Sequence, residues 1–170
     1  MNLFSHPRRW LAWIAVGCVG LLGFGLYLQE VVGLEPCPMC IVQRYALILV
    51  ALVAGISATF RRKTLQTGGV VMMGLLAGFG AFVAARQSLL QWNPPEVLSC
   101  GRDFYGMIES FPLRRAIPMI FKGSGDCSAV DWTFLGLTIA NWSFLCFTGI
   151  LSVALALLLR RAGSASASGA

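Results

Sequence analysis

The chain has 170 residues, 57% of them hydrophobic and only 12% charged, and its mean hydropathy is +0.75. That composition excludes a disordered, fibrous or water-soluble disulfide-scaffold protein and points to a small multi-spanning membrane protein. The formal net charge of +6 comes without a basic stripe interleaved with aromatic residues, which argues against a nucleic-acid binder.

In chain order, four apolar stretches are long enough to cross a bilayer, a distance that takes about 20 helical residues. They run near Leu11–Leu28, Ile41–Phe60, Val70–Leu90 and Trp142–Leu159. The first follows His6, Arg8 and Arg9, is longer than the 7–15 apolar residues usual in a cleavable signal, and lacks a small-x-small cleavage site before Gln29. It reads as a retained helix. The second and third spans each hold one arginine, Arg44 and Arg86, and the first and fourth hold no charge. The outer connections are residues 29–40 and residues 91–141, and the second is long enough to suggest a functional loop. Within it, Phe111–Lys122 mixes Leu113, Ile117, Ile120 and Phe121 with Arg114, Arg115 and Lys122, a pattern suited to a short amphipathic segment on the membrane, with Pro118 limiting any one helix. The expected fold is an all-α membrane protein: a single four-transmembrane-helix bundle over residues 1–162, with a long periplasmic loop, followed by a flexible Gly/Ser/Ala tail at 163–170.

Basic residues set the expected orientation. Arg8 and Arg9, then Arg61, Arg62 and Lys63, then Arg160 and Arg161 fall in three flanks that contain no acid, whereas every Asp and Glu lies in the other two connections. Both termini are therefore expected on the cytoplasmic side. All five tryptophans, Trp10, Trp13, Trp92, Trp132 and Trp142, fall near predicted span ends, as an interfacial aromatic belt requires.

Six cysteines carry the chemistry. Cys18 and Cys146 sit inside spans, where a thiol is ordinarily a small packing residue. Cys37, Cys40, Cys100 and Cys127 all fall on the outer, oxidising side, where an even set pairs. Three pairings are possible, and the simplest joins Cys37 to Cys40 and Cys100 to Cys127. A structural Cys100–Cys127 bridge stabilises the fold by about 3–4 kcal/mol on the chain-entropy account. A Cys-x-x-Cys bridge closes almost no loop, so a redox role suits Cys37 and Cys40 better than a staple. The run Glu35–Cys40 leads into span two, which puts Cys40 near a helix N-terminus that favours a thiolate. Arg44, four residues on, shares that helix face, placed to hold negative charge on the Cys40 sulfur or on an anionic reduced acceptor, or simply to snorkel outward. A four-thiolate zinc site lacks the second Cys-x-x-Cys or Cys-x-x-His unit, so no metal is expected.

Taken together, CPMC entering span two, arginine four residues after its second cysteine, and a long loop holding Cys100 and the run GSGDCSAVDWTFLG resemble the disulfide bond formation protein B family, DsbB. The resemblance covers nearly the whole chain apart from the tail. It implies a quinone-linked inner-membrane enzyme of bacteria that reoxidises DsbA, a periplasmic thioredoxin-like dithiol oxidant, with ubiquinone or menaquinone as acceptor; the DsbA–DsbB–quinone route is a known means of keeping the periplasm oxidising. It also implies roles: Cys37 and Cys40 as the quinone-coupled pair with Cys40 against the ring, Cys100 as the sulfur that forms a mixed disulfide with the partner, Cys127 as its companion, and Arg44 near the quinone head group. Better-known members commonly carry histidine after the arginine that corresponds to Arg86. This chain has Gln87 there, able to hydrogen-bond a quinone carbonyl but not to become cationic, with Arg86 sharing the task or only snorkelling. Two other classes fit less of the pattern: a membrane thiol oxidoreductase of the vitamin K epoxide reductase class, and a non-enzymatic scaffold whose disulfides only stabilise the loop.

Overall fold

A computed structural model describes residues 7–34, 36–93, 130 and 132–167. Four helices dominate it: α1 (Pro7–Glu30), α2 (Pro38–Thr59), α3 (Lys63–Trp92) and α4 (Ile139–Ala167), with a two-stranded hairpin, β1 (Thr133–Phe134) and β2 (Leu137–Thr138), leading directly into α4. All four helices contain a stretch long and apolar enough to cross a membrane, so the chain is a multi-pass membrane protein.

Each helix exceeds its predicted span because the apolar count stops where lipid contact stops, while backbone hydrogen bonding continues into the polar flanks. α2 begins at Pro38, a residue that is favoured at a first helical position because its missing N–H is not needed there. α4 starts at Ile139 and runs on through Ala167, five residues into the predicted tail. Alanine and serine tolerate helix well enough to propagate one already nucleated in the span. The predicted amphipathic segment at 111–122 lies outside the described residues.

Packing follows chain order: α1 lies on α2, α2 on α3 and α3 on α4, while no comparably packed α1–α4 pair closes the bundle among the described residues. The buried seam uses small side chains, including Ala46, Ala54, Ala77, Ala81, Ala84 and Ala154 around Val50, Val70 and Met73, which lets helices approach closely where lipid supplies no hydrophobic drive. Gly80 is one of the close approaches, since a Cβ there would sit 2.6 Å from two ring atoms of Phe147. Large apolar residues such as Val16, Val19, Phe82 and Leu155 face outward instead, as a lipid-exposed surface requires.

At the end bearing the basic residues, side chains cap backbone carbonyls. Arg8 Nε donates to the Ala58 carbonyl at 2.9 Å, and Gln66 Nε2 donates to that of Phe60 at 2.6 Å. Arg161 donates to the Lys63 carbonyl and to Gln66 Oε1, both at 3.0 Å, and also to Thr67 Oγ1. Arg8 satisfies one of the orphan carbonyls at the C-terminal end of α2, while Arg161 ties α4 to the start of α3.

At the opposite end the hairpin is tight. Thr133 pairs with Thr138 and Phe134 with Leu137, and the two turn residues Leu135 and Gly136 have φ of 52° and 79°. Positive φ at both positions matches the turn twist that suits a two-residue hairpin, at a cost for leucine that glycine does not bear. Thr138 Oγ1 donates to Gln91 Oε1 at 2.7 Å, fixing the hairpin to the end of α3.

Candidate active site

The two prolines of Pro36–Cys37–Pro38 restrict the backbone just before α2, and Cys37 becomes the helix N-cap with extended φ and ψ of −64° and 160°. Its Sγ accepts the Cys40 backbone N–H at 3.3 Å, taking the place of the usual hydroxyl or carboxylate cap. Cys40 is consequently the third residue of the helix, where the helix dipole favours negative charge. The two Sγ atoms are 2.6 Å apart. Cys37 is buried with Met39, Val83 and Leu90, and Cys40 is half-buried beside them.

Behind the sulfurs stands α3. Gln87, 3% exposed, donates from Nε2 to Cys37 Sγ and to Cys40 Sγ, each at 3.2 Å. Its Oε1 accepts from Gln43 Nε2 at 2.7 Å. Gln87, expected to hydrogen-bond a quinone carbonyl, directs its amide to the sulfurs and lines the smaller of the two cavities described below rather than the larger. The physical reason is register. α3 packs on α2 so that the side chain at position 87 meets the first turn of α2. Arg86, half-buried, lines neither this cavity nor its smaller neighbour.

Arg44 lies one turn below Cys40, as the i to i+4 spacing requires. Its guanidinium reaches toward α1, donating to Gln29 Oε1 at 2.8 Å and to the Gly25 carbonyl at 3.5 Å. It thereby stands between two cavities. The larger, about 580 Å³, fills the open seam between α1, α2 and α4 and is lined by Leu21, Leu22, Phe24, Leu28, Cys40, Gln43, Arg44, Leu47 and, from the hairpin and α4, Trp132, Phe134, Trp142, Ser143, Cys146 and Phe147. The smaller, about 110 Å³, is lined by Cys37, Cys40, Arg44, Gln29, Gln87, Gln91 and Thr138 among others. Cys40 borders both cavities and Cys37 only the smaller one.

Aromatic residues form one wall of the large cavity. Trp132 stacks on Phe134 with centroids 6.0 Å apart and planes at 7°, and meets Phe24 edge-on at 6.0 Å. Phe134 in turn touches Trp142 at 6.1 Å, and Trp142 Nε1 donates to the Phe134 carbonyl at 3.1 Å. Trp132 and Trp142 are thus more than the interfacial belt read from the sequence, whereas Trp13 and Trp92 are largely exposed and fit it. Of the two cysteines expected to be packing residues, Cys18 is buried in the bundle core and Cys146 lies on the cavity wall. Gln43 and the aromatic wall escaped the sequence reading. A glutamine at i+3 from Cys40 in an otherwise apolar span, and the concentration of rings from 132 to 142, were the available signals. Cys100 and Cys127 lie outside the described residues.

Comparison with known proteins agrees with this geometry. The family model described as disulfide bond formation protein DsbB matches residues 7–157. The chain belongs to the DsbB family. Relatives bearing the name disulfide bond formation protein B include one from Polaromonas naphthalenivorans, 72% identical over 163 residues, covering 95% of this chain and 97% of the relative. Another, from Albidiferax ferrireducens, is 66% identical over 159 residues, covering 94% and 91%. A more distant one, from Aromatoleum aromaticum, is 53% identical over 163 residues, covering 94% and 96%. As a DsbB-family member the chain is a redox membrane protein of disulfide bond formation.

Proposed function

We propose that this chain is a dithiol:quinone oxidoreductase of the bacterial inner membrane, which reoxidises a periplasmic DsbA-type partner and delivers the electrons to membrane quinone. The observation that carries this reading is the position of Cys40: one sulfur of a vicinal pair opens onto an apolar, aromatic-walled cavity of about 580 Å³ in the lipid-facing seam. A cavity of that size and character suits a planar head group with an apolar tail. Leu21, Leu22, Leu28 and Leu47 supply the apolar walls, Trp132, Phe134 and Trp142 a face for ring stacking, and Arg44 and Gln43 the polar groups that orient a carbonyl. When bound, ubiquinone or menaquinone supplies an acceptor for two electrons and two protons.

The chain's own part is thiol–disulfide exchange. Reduced partner attacks the Cys100–Cys127 disulfide at Cys100, and its second thiol resolves the mixed disulfide, leaving the partner oxidised and Cys100 and Cys127 as thiols. Those thiols reduce the Cys37–Cys40 disulfide in the same way. Cys37, which borders only the smaller, more polar cavity, takes the incoming thiolate on this reading, and Cys40 leaves as the thiolate at the helix N-terminus. Arg44 adds a fixed positive charge one turn away. The orientation that places these cysteines on the periplasmic side, with both termini cytoplasmic, is supported by the basic flanks Arg8–Arg9, Arg61–Lys63 and Arg160–Arg161.

Anaerobic stopped-flow absorbance tests the reading. Purified protein mixed with reduced DsbA-type dithiol and a short-chain ubiquinone or menaquinone is expected to consume quinone and dithiol one for one. Cys40→Ser is expected to abolish quinone loss while leaving a mixed disulfide at Cys100 able to form. A wild-type protein that oxidises the dithiol without consuming either quinone refutes it.

A further inference from the structure

We propose that Gln87 takes part in the reaction as a two-pronged amide donor to the Cys37 and Cys40 sulfurs, and that Gln43 is the positioning residue that holds its NH2 toward them. The inference rests on the redox reading of that pair and adds the group that controls its charge. A primary amide has two N–H donors and one carbonyl oxygen. At Gln87 the nitrogen lies 3.2 Å from each sulfur, so the donors are matched to the two atoms between which charge moves during exchange. An amide can equally present its oxygen, and that orientation would repel a thiolate. Gln43 Nε2, 2.7 Å from Gln87 Oε1, occupies the oxygen and fixes the polarity.

Selectivity between redox states follows from sulfur chemistry. A disulfide or thiol sulfur accepts hydrogen bonds weakly, whereas a thiolate accepts them strongly. Donors fixed in advance therefore favour the charged intermediate of exchange over both resting states, which is the condition for accelerating a step. Burial strengthens the effect, since Gln87 and Gln43 are 3% and 6% exposed and an amide dipole acts more strongly in a low-dielectric site. Among the described residues, Arg44 is the one charged side chain lining either cavity with the sulfurs, while Glu30 on α1 and Arg86 on α3 line neither. Cys37 Sγ also accepts the Cys40 N–H. Gln43 itself lines the large cavity, so the amide pair joins the acceptor side of the site to the sulfurs from behind.

The test uses full-length, fully reduced protein in lipid nanodiscs without quinone or partner, and measures iodoacetamide alkylation of Cys40 against pH, with Cys18, Cys100, Cys127 and Cys146 replaced by alanine. Gln87→Leu is expected to slow alkylation at pH 7 about tenfold, moving the profile up by about one pH unit, equivalent to about 1.4 kcal/mol. Gln43→Leu is expected to shift it the same way by a smaller factor, and Gln87→His, which restores a ring N–H donor, to return at least half of the lost rate. An unmoved pH profile in folded Gln87→Leu overturns the proposal, including when quinone turnover falls, because that combination marks a packing role. If Gln87→Leu does not fold, Gln87→Met and Gln43→Leu decide, and wild-type profiles in both overturn it. Failure of the quinone reading is a separate result: it appears as absent quinone loss in wild-type protein, with this pH profile unaffected.

Discussion

Gly80 offers a direct test of whether bundle packing shapes the acceptor cavity. An added Cβ would lie 2.6 Å from Cδ1 and Cζ of Phe147 and closer still to Cε1, against an ordinary carbon–carbon separation of about 3.5–4.0 Å. The ring, 2% exposed, must therefore retreat by about 1 Å. On its far side lies the cavity of about 580 Å³ that it lines, which is the available space. Overpacking of this kind costs about 1–3 kcal/mol, and Gly80→Ala is expected to lower the thermal midpoint of the detergent-solubilised protein by roughly 2–12 °C for a chain of this length. A ligand that needs the space taken by the ring must push it back, so apparent quinone affinity is expected to fall by a comparable free energy, about fivefold to a hundredfold. Isothermal titration with a short-chain quinone, beside thermal unfolding, measures both. Gly80→Ala with Phe147→Leu removes the clash and is expected to recover most of each loss, since the two side chains share one contact. A lowered thermal midpoint with unchanged quinone affinity in Gly80→Ala refutes the coupling between this helix contact and the cavity.

Two further outcomes follow from the cavity wall. Arg44→Met removes the cation and its bonds to Gln29 and Gly25; steady-state kinetics should show the quinone KM raised about tenfold or more, the scale of a charge-assisted hydrogen bond, with exchange between the partner dithiol and Cys100 unaffected. Quinone binding should quench tryptophan fluorescence, and Trp132→Leu should remove a large share of that quenching because Trp132 stacks within the wall, whereas replacing Trp13, 71% exposed and on no cavity wall, should change the quenching little.

How much of this was legible without coordinates depends on the range over which each feature is determined. The four spans follow from local composition, and their number and order agree with α1 to α4; their ends do not, because helix α4 propagates through serine and alanine to Ala167 on backbone hydrogen bonds that a hydropathy count ignores. Cys40 at a helix start was readable from Pro38 at the first helical position. Arg44 on the same face was readable from spacing, but its partners Gln29 and Gly25 belong to another helix, and nothing local specifies them. Gln87 shows the limit most clearly. Residue type gave a polar group capable of binding a carbonyl, and only the α2–α3 register turns that group onto two sulfurs. The hairpin is similar: Gly136 marks a turn, but Leu135 at φ 52° adopts a conformation that its residue type disfavours.

The arrangement also accounts for why, among the described residues, α1 and α4 are not packed against one another. Cys40 borders two cavities of opposite character, one apolar and continuous with the α1–α4 seam, the other smaller and lined by glutamines and Thr138. A closed four-helix bundle with α1 packed on α4 would fill the first and confine the sulfur pair to aqueous exchange. Leaving that seam to Phe24, Trp132, Phe134 and Trp142 forgoes buried helix contact; on the proposed quinone reading it lets Cys40 meet an apolar acceptor while both sulfurs border the smaller cavity. The separation of the two approaches then depends on the register between the sulfurs and the rest of α2. Inserting one residue between Cys40 and Arg44 would rotate both sulfurs by about 100° relative to the packed helix and point neither at its cavity.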